Sequence, residues 1–167
     1  MGDIGPCELV EGRILHMTPT GSEHGAIESN LSFELGSFVR QHGLGRVLVG
    51  EVGIYTRRNP DSVRGADVAF ISGARISIRP AKGFLEVAPE LVVEIMSPDD
   101  RWRDVRQKLG EYFAIGVERV WIVEPDSRTV LVYRSETEMG KLGEGETLEG
   151  EGVLEGFAVP VARLFEG

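Results

Sequence analysis

The sequence predicts one α/β (α+β) domain over residues 1–167, with a mixed central β-sheet flanked by helices. Three observations carry this. Strand-like and helix-like segments alternate along the chain. Two segments hold apolar residues at helical spacing. Two short continuous apolar runs, "ELVVEIM" and "ERVWIVEP", read as buried strands. At 167 residues one domain is the default, and such a chain buries roughly two-thirds of its unfolded surface.

In chain order, "CELVEGRILHM" predicts an N-terminal hairpin turning at Glu11-Gly12. "TPTGS" is a turn cluster in which Ser22 is placed to cap a helix and Glu23 lies in its first turn. Ile27, Leu31, Leu35 and Phe38 form the stripe of that helix, which runs to His42 before Gly43. "RVLVGEVGIYTRR" reads as strand, glycine, strand, "NPDSVRG" as a loop, and "ADVAFIS" as a strand that Asp67 nearly opens. Residues 73–89 read as irregular, with Gly73, Pro80, Gly83 and Pro89 as breakers. After "ELVVEIM", Pro98 ends the strand and Asp99 or Asp100 is placed to cap the next helix. That helix carries Trp102, Val105, Leu109, Tyr112 and Phe113 on one stripe and stops at Gly116. "ERVWIVEP" and "RTVLVYR" pair across Pro125-Asp126. "GKLGEGETLEGEGVLEG" predicts a short exposed, solubilising hairpin, a C-terminal β extension closed by "FAVPVARLF".

Composition narrows the function classes. Apolar residues make up 41% and charged residues 27%, as in ordinary soluble proteins. No apolar run approaches the ~20 residues of a membrane span, and the N-terminus lacks a signal-peptide layout. Cys7 is alone, which excludes an internal disulfide and thiolate metal clusters. A cytoplasmic protein without a membrane partner is expected. The net charge of −9 works against non-specific nucleic-acid binding. The acidity is uneven, however. Residues 135–167 hold eight glutamates against Lys141 and Arg163, whereas residues 57–108 hold ten basic and eight acidic groups.

Glu94 is the residue that most needs an explanation. Alternation places Leu91, Val93 and Ile95 on one face of its strand and Val92, Glu94 and Met96 on the other. A buried carboxylate is costly without compensation, which either a hydrogen-bonding partner or a divalent cation supplies. Asp67, taken alone, fits a turn or cap; on a neighbouring strand it would bring a second hard oxygen donor suited to Mg2+ or Mn2+. Lys108 follows Asp104 by four residues, the spacing of a solvated ion pair, but it also flanks the apolar stripe and can reach over the sheet edge. An amine there can orient a metal-bound water, accept its proton or neutralise charge on a phosphate. His24 and Glu28 share a helix face, either as a surface or partly buried pair or as part of a metal site. HExxH, GxSxG, GxxxxGK[ST] and GxGxxG are all missing, so zinc-protease, esterase, P-loop and Rossmann readings lack support.

Taken together, "ELVEGRILHM", "TPTGSEH", "ADVAFI", "PELVVEIMSPDD", "DVRQKLGEYFAIGVERVWIVEP" and "LEGFAVPVARLF" resemble the Uma-type family of the PD-(D/E)XK restriction-endonuclease-like superfamily. The resemblance implies a restriction-endonuclease-like sheet and a Mg2+- or Mn2+-dependent endonuclease acting on nucleic acid, DNA foremost, as a homodimer. It also implies Asp67 and Glu94 as metal-binding catalytic acids, Lys108 as the catalytic amine and Glu28 as a supporting first-helix acid. Asp104 would position Lys108, and His24 would assist. Ala66 stands where the motif has proline, and Met96 where the superfamily has its strand lysine. That missing lysine and the −9 charge leave an alternative, a nuclease-like scaffold that binds protein or nucleic acid without cutting. A hydrolase of small phosphorylated molecules is a third reading.

Overall fold

The computed structural model describes residue 5 and residues 7–78 and 83–167; Pro80, one of the expected breakers, lies outside them. The chain opens with β1 (Cys7–Val10) and β2 (Arg13–His16), turned through Glu11 and Gly12 at φ 49° and 77°, the left-handed pair that a tight hairpin requires. Helix α1 (Ser22–Gln41) buries Ile27, Leu31, Leu35 and Val39. Its N-cap is Gly21 rather than Ser22, and no side chain caps it. The expected strand–glycine–strand is one element, β3 (Gly45–Arg57), whose register shifts between Val49 and Val52. Gly50 and Glu51 supply that bulge with φ values of 82° and 58°.

Strand β4 (Ser62–Ser72) is buried along its length and longer than "ADVAFIS", so Asp67 lies inside the strand instead of at its start. A short helix α2 (Gly73–Ile78) occupies part of the stretch expected to be irregular. Strand β5 (Leu91–Ile95) leads to α3 (Trp102–Ile115), and Gly116 at φ 100° ends that helix. Arg101 is the N-cap and makes no side-chain cap bond. Asp100 instead accepts the Ser97 N–H at 2.7 Å, closing the loop before the helix.

Strands β6 (Arg119–Glu124) and β7 (Thr129–Tyr133) form the expected antiparallel pair, and β5 runs parallel to β6. The C-terminal segment departs from an exposed hairpin. Strand β8 (Met139–Leu142) extends the main sheet beside β7, whereas β9 (Thr147–Glu149) pairs with β10 (Ala158–Pro160), followed by α4 (Val161–Leu164). Leu148, Leu154 and Phe157 are buried here, because the glycines and glutamates separate apolar anchors that complete the core beneath α1.

The main sheet runs β2-β1-β4-β5-β6-β7-β8, with β3 paired to β4. Two cores line its faces. One packs α1 and the C-terminal elements on Leu91, Val93 and Ile95; the other packs α3 on Val92, the alternation expected for β5. Strand β3 covers one edge of β4 throughout. The opposite edge is shared end to end by β1, at Val63, and β5, at Val68, Ala69 and Phe70. Residues 64–67 therefore face a break in the strand ladder. Among the described residues no helix is long and apolar enough to cross a membrane.

Candidate active site

Backbone groups left by a broken ladder must find other partners, and here ionisable side chains provide them. The Gly65 N–H donates to Glu8 Oε1 at 3.0 Å, and the Ile95 N–H donates to Asp67 Oδ2 at 2.6 Å. Lys108 reaches in from α3 and donates to the Gly65 carbonyl at 3.3 Å. Its amine lies 2.8 Å from Glu8 Oε1 and 3.2 Å from Glu94 Oε2. Tyr112, one turn further along α3, donates its hydroxyl to Glu94 Oε1 at 2.6 Å. Glu8, Glu51, Asp67, Glu94, His24 and Lys108 all line one cavity of about 340 Å3.

The structure thus brings Glu94 and Lys108 into contact and sets Asp67 in the same cavity. His24 Nε2 stands 3.3 Å from Asp67 Oδ1, and that bond raises the imidazole pKa. Glu28 stays outside the cavity but accepts the Gly50 N–H at 2.9 Å, which fastens the bulge that carries Glu51. Asp104 lines the same cavity but does not hold Lys108; it stands 3.5 Å from Arg103. The reason is directional. Lys108 is drawn inward by the Glu8 and Glu94 carboxylates, leaving Asp104 without a bond to it.

Sequence reasoning missed Glu8, Glu51 and Tyr112. Glu8 is bound by Arg64 at 3.0 Å as well as by Lys108 and the Gly65 N–H. Glu51 lies close over Gly65, where a Cβ would stand 2.6 Å from its Oε2. None of the hydrogen bonds or ion pairs among the described residues engages the Glu51 carboxylate. A glycine inside the "RVLVGEVGIYTRR" run is a bulge signal that could have pointed to Glu51.

The electrostatics follow from burial. Desolvation, only partly offset by Lys108, pushes the Glu94 carboxyl up to about 7, with Asp67 adding to the rise. Desolvation and Asp67 push Glu51 to about 7 as well. Lys108 is desolvated too, but Glu94 and Glu8 override this and raise its pKa, so it stays an ammonium. As to a cation, among the described residues no three His, Cys, Asp or Glu side chains are already spaced to hold an ion. The donor set nevertheless fits one: hard carboxylate oxygens, two of them on groups short of counter-charge and one carboxylate unengaged.

Comparison with known proteins agrees with this architecture. A crystal structure titled as a "putative nuclease belonging to DUF820" from Anabaena variabilis ATCC 29413 superposes with a TM-score of 0.83. It shares 24% identity and covers 95% of this chain and 89% of its own. Among curated proteins, none matches. Residues 2–162 match the family described as "Putative restriction endonuclease", so the chain belongs to the Uma2 family.

Proposed function

We propose that the protein is a divalent-metal-dependent endonuclease that hydrolyses phosphodiester bonds of nucleic acid, with DNA the foremost substrate. The observation that carries this reading is the meeting of Lys108 and Glu94 at 3.2 Å in the cavity that Asp67 and Glu51 also line. Asp67 and Glu94 would hold Mg2+ or Mn2+, with Glu51 as a further oxygen donor. When bound, such an ion supplies Lewis-acid polarisation of the phosphate and a water of lowered pKa.

The chain's own residues do the remaining work. The Ile95 N–H and His24 fix Asp67, and Tyr112 and Lys108 fix Glu94, so both carboxylates keep one orientation. The Lys108 ammonium is held protonated and therefore does not accept the water's proton; it stabilises charge developing on the phosphate oxygens. The reaction class is hydrolysis by in-line attack of water.

The test is a cleavage assay over single- and double-stranded DNA and RNA with Mg2+ or Mn2+, with Glu94→Ala as the blank. Cleavage reduced about a thousandfold by the substitution is expected. Equal cleavage by the variant, or none by the wild type on any substrate, overturns the proposal; the second outcome favours the binding scaffold.

A further inference from the structure

Strand β4 carries a buried cation, Arg64, one residue before the Gly65 that Lys108 reaches. Its side chain is only 5% exposed, and every nitrogen of its guanidinium meets a carboxylate oxygen. Nε and Nη2 donate to Glu111 Oε2 and Oε1 at 2.7 and 2.6 Å, a bidentate pair. Nη1 donates to Glu8 Oε2 at 3.0 Å. Glu111 stands on α3 one turn beyond Lys108, and it also accepts the Thr56 hydroxyl at 2.9 Å and the Gln107 amide at 3.1 Å. Burial works to raise the Glu111 carboxyl, but the Arg64 bond overrides it and lowers its pKa, so Glu111 is an anion at neutral pH.

Glu8 is thereby divided between two cations. Its Oε2 belongs to Arg64, and its Oε1 to the Gly65 N–H and Lys108. Charges alternate along one path through Glu111, Arg64, Glu8, Lys108 and Glu94. Among the described residues Arg64 and Lys108 are the only arginine or lysine that line the acidic cavity. Arg64 is nearly sealed from water, whereas the Lys108 side chain is 19% exposed, so Lys108 is the cation that a phosphate can reach. A pair serving only to dock α3 would need Glu111 alone. The third nitrogen goes instead to the carboxylate that holds the Lys108 amine. A buried carboxylate left without its counter-charge is costly, so Glu8 without Arg64 would draw Lys108 wholly to itself and away from Glu94.

We propose that Arg64, braced by Glu111, is a positioning residue for the hydrolysis: it takes up one oxygen of Glu8 and so leaves the Lys108 ammonium shared with Glu94 at the cavity. The inference rests on the endonuclease reading and adds to it the pair that sets where its ammonium stands. Arginine is required by shape as well as by charge. Its fork reaches Glu111 with two nitrogens and Glu8 with the third, whereas a lysine, a point charge on a flexible stem, cannot span both. The bidentate bond also ties α3 to β4 beside Gly65, so the helix that delivers Lys108 keeps its place on the strand.

A double-mutant cycle of Arg64→Lys with Glu8→Gln tests this, with kcat and KM measured per folded molecule on a cleaved nucleic acid. Arg64→Lys alone should lower kcat about tenfold at unchanged KM. On the Glu8→Gln background it should lower kcat by less than about twofold, because the carboxylate through which Arg64 acts is already gone. Should Arg64→Lys not fold, Glu111→Gln takes its place in the cycle. It should lower kcat about threefold alone and have no further effect beside Glu8→Gln. A second measurement needs no turnover: a crystal structure of the metal-free variant, in which Lys108 Nζ should stay on Glu8 and stand more than about 4 Å from Glu94. An unchanged kcat, losses that multiply in the double variant, or a Lys108 still in contact with Glu94 overturns the inference. Lys108 displaced in the variant of a protein that cuts no phosphodiester removes the proposed reaction and leaves the positioning standing. Cleavage by the wild type with Lys108 undisplaced in the variant does the reverse.

Discussion

Glu90 immediately precedes β5 and Glu94 lies within it; both are withdrawn from water, yet the fold treats them in opposite ways. Glu90 accepts the Ser72 N–H at 2.9 Å and lies 3.2 Å from Arg75, which is tied in turn to the Ala88 carbonyl and to Glu118. Glu94 receives no backbone N–H; its partners are the Tyr112 hydroxyl and a lysine that it shares with Glu8. Glu90 is a closed structural ion pair. Glu94 belongs to a carboxylate group in charge deficit around a cavity, and its carboxyl rises to about 7. Burial alone therefore does not set the state of an acid. The difference lies in whether neighbours complete its compensation.

The contrast can be broken most severely by alanine. Glu94→Ala should reduce hydrolysis about a thousandfold while the melting temperature stays nearly constant. Glu90→Ala should leave turnover per folded molecule unchanged but strand Arg75 and the Ser72 N–H. The expected cost is about 3 kcal/mol, seen as a fall of roughly 6–12 °C in thermal unfolding. A Glu90 variant that melts normally and loses activity would reverse the assignment.

A subtler change sharpens it. Glu8→Gln keeps an acceptor for the Gly65 N–H but removes the charge that holds Lys108, so kcat should fall about 10–100-fold with KM unchanged. Steady-state kinetics decide this, and an unchanged kcat would show that Glu8 only closes the strand edge.

The pH dependence has a definite sign. Glu51 and Glu94 keep their protons to about pH 7 when folded, against 4.5 for the ordinary group. Between those values the folded chain binds more protons than the unfolded one. Their contribution is full below about pH 4.5 and is lost as pH rises through about 7. Thermal melts in chelator should therefore fall between about pH 5 and pH 8, and Mn2+ should recover the loss at the higher pH. The smallest effect is expected for Asp104→Ala, whose exposed partner is Arg103: within about 0.5 kcal/mol and without change in turnover.

Much of this was legible in the sequence for physical reasons. Glu94 stood out because a carboxylate in an apolar run has to be compensated, and the period-2 alternation of β5 correctly separated the two cores. Lys108 was readable from its place beside the α3 stripe. Glu8 was not, since a glutamate in a four-residue hairpin strand is ordinary surface chemistry until β1 docks on β4 and turns it inward. Tyr112 read as core because its ring is core and only its hydroxyl reaches Glu94. The C-terminal segment misled through composition: most of its glutamates face solvent, while Leu148, Leu154 and Phe157, sparse among glycines, carry the packing.

The central claim is that the break in the β4 edge is a cation site and not a structural ion cluster. Calorimetric titration of Mn2+ into the wild type, Asp67→Ala and Glu94→Ala tests it most directly. A saturable site weakened at least about tenfold in both variants is the predicted result. Undiminished affinity in both, with the fold intact, would contradict it.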